Sequence, residues 1–441
     1  MGNSDFDVSL KAMDVDPNKV LSSLKLLMAQ RNTSDISLGL NNILYISMVL
    51  QLLQDKTVPT YLSGMKYDEL FSNPDSAILA EVYEKNEKGN YFLKEEIEVD
   101  KELEIYNFME KYQPNHEGVT LLAIEEPEAH LHPVYQRLIY KDVIRNSHNS
   151  VLLTTHSTHI TAIAPIDSIV HLHAKQDCGT VVHATADMEM KLGEFLDVER
   201  YLDVKRGEIY LGKAVVLVEG IAEEYMIPKF AGLLGKPLDE KGIIVCNINS
   251  TNFTPYVKML KRLEIPYAVI TDGDFYYWGE KDGEPAKAYH KMKNEVPEDT
   301  DIGFLGNEII TSLVEELELS GEKKVPEEVS KQDDFFNELG LFIGYYTFEV
   351  DMMGHCKKST EAQQVFCDLF NELTDGGETQ KANFKKELES GQYWKCLRKI
   401  EGNGIGKGRF SQRLSAVCNK EHISVYIKKA ISYIYQKVNV L

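Results

Sequence analysis

The sequence predicts an α/β chain built from two successive strand–helix units. Three observations carry this. Short apolar runs at 121–124 and 151–155 flank an amphipathic stretch at 133–145. Further apolar runs at 214–218, 243–248 and 267–271 alternate with helical patterns at 222–234 and 255–263, as in a parallel sheet with both faces covered. In both units carboxylates stand where strands end: Glu125 and Glu126 in the first, Glu219, Asp272 and Asp274 in the second. The carboxyl edge of such a sheet is where ligands bind.

Taken in order, residues 19–30 and 40–54 have apolar residues at three- and four-residue spacing and predict helices. The charge-rich stretch 86–104, with Tyr91-Phe92-Leu93 inside it, reads as an insertion or small subdomain. A hairpin is predicted from 168–173 and 181–184, then a helical connector over 187–205. Beyond 300 the pattern is mostly helical, with acidic segments at 315–334 and 372–389. The expected division is 1–205, with an insertion at about 55–115, and 206–441 with a helical C-terminal region.

The 441 residues suffice for two or three cores. A net charge of -21 argues against bulk attraction to nucleic acid. From Lys381 onward, however, basic residues exceed acidic ones by about nine, a solvated helical surface or a nucleic-acid contact. Six cysteines without a C-x-x-C pair suggest neither zinc ribbon nor redox motif and fit a reducing cytoplasm. The start, Met1-Gly2-Asn3-Ser4-Asp5, lacks signal-peptide character, Phe6 breaks a myristoylation pattern, and no apolar run is long enough to span a membrane.

An apolar strand ending in two acids suits nucleotide hydrolysis. Glu125 would hold magnesium through water and Glu126 would orient the attacking water. A histidine at the end of the next strand, His156 in Thr154-Thr155-His156-Ser157, would reach a γ-phosphate or its water. Ser37, before a helical pattern, is either a plain N-cap or a phosphate donor. No segment fits G-x-x-x-x-G-K-[ST]. Gly402-Asn403-Gly404-Ile405-Gly406-Lys407-Gly408 fails because Glu401 replaces the first glycine and Gly408 the magnesium-ligating hydroxyl. In the second unit Glu219, Glu223, Asp272 and Asp274 offer hard oxygen ligands for Mg²⁺ or Mn²⁺. Two such ions roughly 4 Å apart would serve phosphodiester chemistry. Taken separately, Asp-Gly-Asp is also a common turn and Glu219-Gly220 a plain strand end.

The run Glu125-Glu126-Pro127-Glu128-Ala129-His130-Leu131-His132-Pro133, followed by Thr-Thr-His-Ser, resembles ABC/SMC-type ATPase heads, most closely those of the OLD (overcoming lysogenization defect) family. The resemblance implies that Glu125 and Glu126 are Walker B acids and His156 the switch histidine. Ser37-Leu38-Gly39 would be the signature motif, so Ser37 and Gly39 would cap nucleotide on a partner protomer. The glutamate and the D-x-D resemble a Toprim domain, a Rossmann-like parallel sheet, which OLD nucleases join to the ATPase head in this order. Thr347-Phe348-Glu349-Val350-Asp351 then resembles a segment bearing a metal ligand, Glu349 with Asp351 as alternate. Lys407 resembles the catalytic lysine, with a solvated lysine in a glycine turn as its plain reading. In the family the Walker A loop lies in an N-terminal lobe, so the chain resembles the C-terminal part of such a protein.

The expectation is an Mg²⁺- or Mn²⁺-dependent DNA endonuclease of phage defence with two ions, catalytic Lys407, Glu219 and Asp272, and Glu223, Asp274 and Glu349 as further ligands. ATP would bind only with a Walker A lobe supplied from outside the chain, whether as a missing segment or a partner. Homo-oligomerisation is expected by the same resemblance. A non-catalytic subunit serving a Walker A-bearing partner, and a Toprim topoisomerase or primase, remain open. His130, His132, His156 and His159 lack supporting cysteines for zinc, and nothing places an acid or oxyanion hole around His355-Cys356. The aromatic run Phe275-Tyr276-Tyr277-Trp278 is either packing or a stacking surface for unpaired bases.

Overall fold

The alternation Val8-Ser9-Leu10-Lys11-Ala12 forms strand β1 (Val8–Ala12). It pairs antiparallel with β2 (Leu24–Met28), which in turn pairs with β3 (Arg31–Asn32). The helix expected over 19–30 is therefore corrected: its described part is strand. A short apolar run satisfies both periods, and pairing with β1 decides between them. In this computed structural model the described residues are 8–12, 24–28, 31–32, 36–53, 58–94, 97–113, 121–145, 150–175, 179–186, 188–202, 206–281, 284–321, 323–402 and 404–440. The N-terminal pentapeptide, Cys178 and Asn403 lie outside them.

Two compact units divide the chain, Met1–Ile160 and Thr161–Leu441. In the first, α1 (Leu38–Leu53) follows Ser37, whose Oγ accepts from the Leu40 amide at 3.5 Å. A subdomain comes next: β4 (Tyr61–Leu62), α2 (Gly64–Phe71), α3 (Ala77–Val82), β5 (Tyr83–Lys85), β6 (Tyr91–Leu93) and α4 (Val99–Tyr112). It closes its own core around Leu70, Leu79, Val82 and Ile105. Parallel strands β7 (Leu121–Glu125) and β8 (Ser150–Thr154) are joined through α5 (Pro133–Leu138), which runs on as a π-helical turn, Ile139–Ile144. Leu122, Ile124, Val151 and Leu153 pack toward Ile43 and Ile139 of the second core in this unit, while Leu121 and Leu152 are exposed.

The second unit opens with the hairpin β9 (Val170–Lys175) and β10 (Gly179–Ala184), then α6 (Leu192–Tyr201). Strand β11 (Ala214–Val218) is buried throughout. It is followed by α7 (Ile221–Leu233), β12 (Ile243–Asn247), α8 (Thr254–Arg262) and β13 (Tyr267–Thr271). A small antiparallel sheet, β14 (Phe275–Lys281), β15 (Glu284–Ala288) and β16 (Ile302–Phe304), precedes α9 (Leu305–Glu316), α10 (Val329–Glu338) and β17 (Leu341–Ile343). The helical remainder is α11 (Phe348–His355), α12 (Thr360–Leu373), α13 (Glu378–Glu389), α14 (Tyr393–Glu401), α15 (Lys407–Val417) and α16 (Val425–Val440).

The central sheet is parallel with order β12-β11-β13-β17. Alternate residues of β11 serve opposite cores. Ala214, Val216 and Val218 join the one carrying α7 and the C-terminal helices. Val215 and Leu217 join the one carrying α6, α8 and α9. Both faces being covered explains the uninterrupted apolar run. The chain leaves β11 for β12 on one side and returns to β13 on the other, so a topological switch point lies between the carboxyl ends of β11 and β13.

Candidate active site

Glu219 follows β11 at that switch point. Its Oε1 accepts from the Asp272 amide at 2.9 Å and from the Thr271 hydroxyl, which ties the two strand ends together. Asp272 Oδ1 accepts from the Phe348 amide at 2.8 Å, drawing in the segment after β17. Glu223 is buried on the first turn of α7. Gly220 leaves it room, because a Cβ there would stand 3.1 Å from the Glu223 Oε2 atom. The Gly273 and Asp274 amides donate to Tyr346 O at 2.8 and 3.1 Å. A Cβ on Gly273 would lie 2.3 Å from Gly344 O and 2.5 Å from Tyr345 O, so only glycine lets these backbones meet. Asp274 itself takes a left-handed φ of 46°.

Glu349, buried on the first turn of α11, lies 3.5 Å from Lys407 Nζ, at the start of α15. Gly408 lets α15 close on α7, where its Cβ would meet Ile221 Cγ2 at 3.1 Å. Asp351 is turned away: it accepts from the Tyr345 amide at 2.7 Å and the Tyr346 amide at 3.1 Å. The structure thus brings Glu219, Glu223, Asp272, Asp274, Glu349 and Lys407 around one crevice. Two partners have weaker sequence signals. Glu401 lies 3.3 Å from Lys407 Nζ, and His290 adds its field to Asp274. Glu401 stands out in the sequence only as the residue that spoils a phosphate loop.

Burial and mutual repulsion dominate the electrostatics. Burial first, then Glu349, pushes Glu223 up to about 8. Burial and the neighbouring Glu219 raise Asp272 well above the carboxylate range. Glu219, Asp274 and Glu349 are also raised by burial, with Lys407 opposing the rise at each. Burial disfavours the charge on Lys407, yet Glu349, Glu401 and Asp272 outweigh it and lift its pKa above the ordinary value. Among the described residues no three of these acids bring their oxygens within 4.8 Å of one another. A ring of repelling carboxylates around one crevice fits hard divalent cations that keep part of their water.

In the first unit Glu126 has a φ of 42°, a left-handed conformation that costs energy in a non-glycine residue. Its amide donates to Thr154 O at 3.0 Å. Its Oε1 lies 3.5 Å from His156 Nε2, and both side chains are open to solvent. Glu125 is exposed beside them. Glu128 organises the turn by accepting from Thr155 Oγ1 at 2.6 Å and the His156 amide at 2.9 Å. Gly39 is buried against His130, whose carbonyl oxygen would be 2.4 Å from a Cβ, and this seats Ser37 near the turn after β7. Cys356 is buried with its Sγ bonded to Glu421 O at 3.4 Å and its thiol pushed up to about 12 by burial, so it makes no nucleophile with His355. Phe275 and Tyr276 are packed inside, leaving Trp278 as the exposed aromatic of that run.

Residues 211–274 match the family described as overcoming lysogenization defect protein-like, TOPRIM domain. The chain carries an OLD-like Toprim domain. Residues 66–161 match an AAA ATPase domain, which makes the whole a mixed α/β chain with an AAA-like region ahead of the Toprim sheet. Endonuclease GajA of Bacillus cereus is 25% identical over 218 residues, 43% of this chain and 31% of that protein. The OLD nuclease of Thermus scotoductus is 22% identical over 206 residues, 44% of this chain and 38% of that protein. The matched parts thus span about a third of these curated relatives. The C-terminal region of the Xanthomonas campestris OLD protein, a solved structure, aligns with 53% of this chain and 97% of its own at 25% identity and a TM-score of 0.41. Among the described residues no helix is long and apolar enough to cross a membrane.

Proposed function

We propose that this chain is a divalent-metal-dependent DNA endonuclease whose chemistry resides in the Toprim crevice. The observation that carries the reading is the joining of Glu219 to Asp272 across adjacent strand ends, with Lys407 facing the same acids. Glu219, Asp272 and Asp274, with Glu223 and Glu349 behind them, would hold Mg²⁺ or Mn²⁺. When bound, a pair of such ions supplies activation of water and neutralisation of the leaving oxygen. The Thr271 hydroxyl and the Asp272 and Phe348 amides fix the directions of the first two carboxylates. Lys407, kept cationic by Glu349 and Glu401, would donate to the charge that builds on the phosphate. An OLD-type role in phage defence and assembly through the ATPase region extend the same reading.

Supercoiled plasmid incubated with the purified chain and Mn²⁺ or Mg²⁺ should become nicked or linear, and a chelator should stop it. Glu219→Ala and Lys407→Ala should each lower the rate by about 10² or more while the melting curve stays cooperative. Undiminished metal-dependent cleavage in both variants would reject this site. Relaxed closed circles instead of cut product would indicate a topoisomerase.

A further inference from the structure

A second cluster of ligating side chains lies away from the Toprim crevice. His171 and His173 alternate on β9, and His183 stands directly across from His171 on β10, so all three share one face of the hairpin. The rings of His173 and His183 stack with centroids 5.2 Å apart, and His171 lies 5.5 Å from His173. The turn after α8 brings Glu264 beneath this face, with a left-handed φ of 51°. Ligand atoms of His173, His183 and Glu264 all lie within 4.8 Å of one another. His183 Nε2 approaches Glu264 Oε2 to 3.4 Å. Ligands about 2.0–2.1 Å from a tetrahedral ion are separated by about 3.3–3.4 Å, so one edge of the polyhedron is already set.

The nitrogens are also unsatisfied. Among the described residues, both ring nitrogens of His173 and Nδ1 of His171 are buried without a hydrogen-bond partner, and Nε2 of His183 is buried with the Glu264 carboxylate 3.4 Å away but no hydrogen bond. Native structures rarely strand so many polar atoms in one place unless water or an ion takes them up. Stacked histidines that cannot donate to one another suit a shared electron-pair acceptor. His171 is engaged with the Leu263 backbone and serves as a neighbour rather than a ligand. Lys175 Nζ lies 2.7 Å from Glu264 Oε2 and competes for that carboxylate.

We propose that His173, His183 and Glu264 form a transition-metal site of the Zn²⁺ class, stapling the β9–β10 hairpin to the α8–β13 turn. Two imidazoles and one carboxylate suit a borderline ion better than Mg²⁺. Three protein ligands leave one position for water, and the half-exposed Glu264 side gives the ion a way in.

The test is titration of the full chain with Zn²⁺ in millimolar Mg²⁺, present to compete for the carboxylate crevice, followed by Co²⁺ as a spectroscopic stand-in. One equivalent of Zn²⁺ should bind and raise the melting temperature, and Co²⁺ should give the intense visible band of a four-coordinate site. His173→Ala and His183→Ala should each weaken binding by about 100-fold, and Glu264→Gln by about 10-fold. Lys175→Met frees Glu264 and should tighten binding, a gain that misfolding cannot imitate. Lack of stoichiometric Zn²⁺ binding, or affinity unchanged in both histidine variants, overturns the proposal. So does a Co²⁺ spectrum lost in Glu219→Ala but kept in His183→Ala. Plasmid cleavage is scored separately, so failure here leaves the Toprim reading standing.

Discussion

Glu223 shows what the crevice demands of a single residue. Burial and Glu349 raise its pKa from 4.5 to about 8. In that interval the folded chain binds more protons than the unfolded chain, so stability falls as pH rises. The contribution of Glu223 is fully present below 4.5 and is lost as pH climbs through about 8. The metal-free protein should therefore melt at lower temperature at pH 8 than at pH 5. Glu223→Gln removes the ionisation and should flatten that slope, a difference of a few kcal/mol at the alkaline end. Saturating Mn²⁺ should flatten it as well, since a bound cation favours the ionised carboxylates. A slope that is equal in wild type and variant, without metal, would show that Glu223 is not the group under pressure.

At the scale of elements, the crevice depends on backbones that touch. Gly306, the second residue of α9, has no space for a side chain, since a Cβ would lie 2.1 Å from Asp272 O. Gly273 meets Gly344 and Tyr345 in the same way. Neither obstruction is the mobile end of a side chain, so neither can rotate aside. Gly306→Ala should displace the Asp272 turn from the start of α9, at about 1–3 kcal/mol. It should also lower plasmid cleavage by more than the loss of folded protein explains. Denaturant midpoints and rates measured together decide this, and a variant with wild-type values of both would mean the contact is not required. Such contacts leave no local pattern in the sequence, whereas apolar runs do. Strands β11, β12 and β13, their helices and the acids after them follow from local apolar runs and strand-end positions. Strand β17 is not legible in the sequence, because three residues carry too little pattern and only pairing with β13 makes Leu341–Ile343 a strand. Strand β2 carries apolar residues at helical spacing, and its pairing with β1 is what makes it a strand. Glu401 and the histidines of the hairpin carry no local signal, because their meaning lies in what stands across from them.

At the scale of the chain, the sequence carries two acidic strand edges, the Toprim crevice with its acids and lysine and the edge where Glu125, Glu126 and His156 stand together. Glu126 and His156 face each other at 3.5 Å with both side chains solvated, and the 441 residues contain no G-x-x-x-x-G-K-[ST] segment. Backbone amides of such a loop and its lysine supply most of the affinity for the β- and γ-phosphates. Without them a carboxylate at this edge would have no held phosphate to act on. Purified chain should therefore turn over ATP at background, and Glu126→Gln should leave that background unchanged. If cleavage draws on the Toprim residues alone, the same variant should nick plasmid at the wild-type rate while Lys407→Ala does not. Robust ATP turnover that disappears in Glu126→Gln would show that the chain binds phosphate by another route. A parallel drop in nicking would mean that cleavage depends on that hydrolysis even in this chain alone.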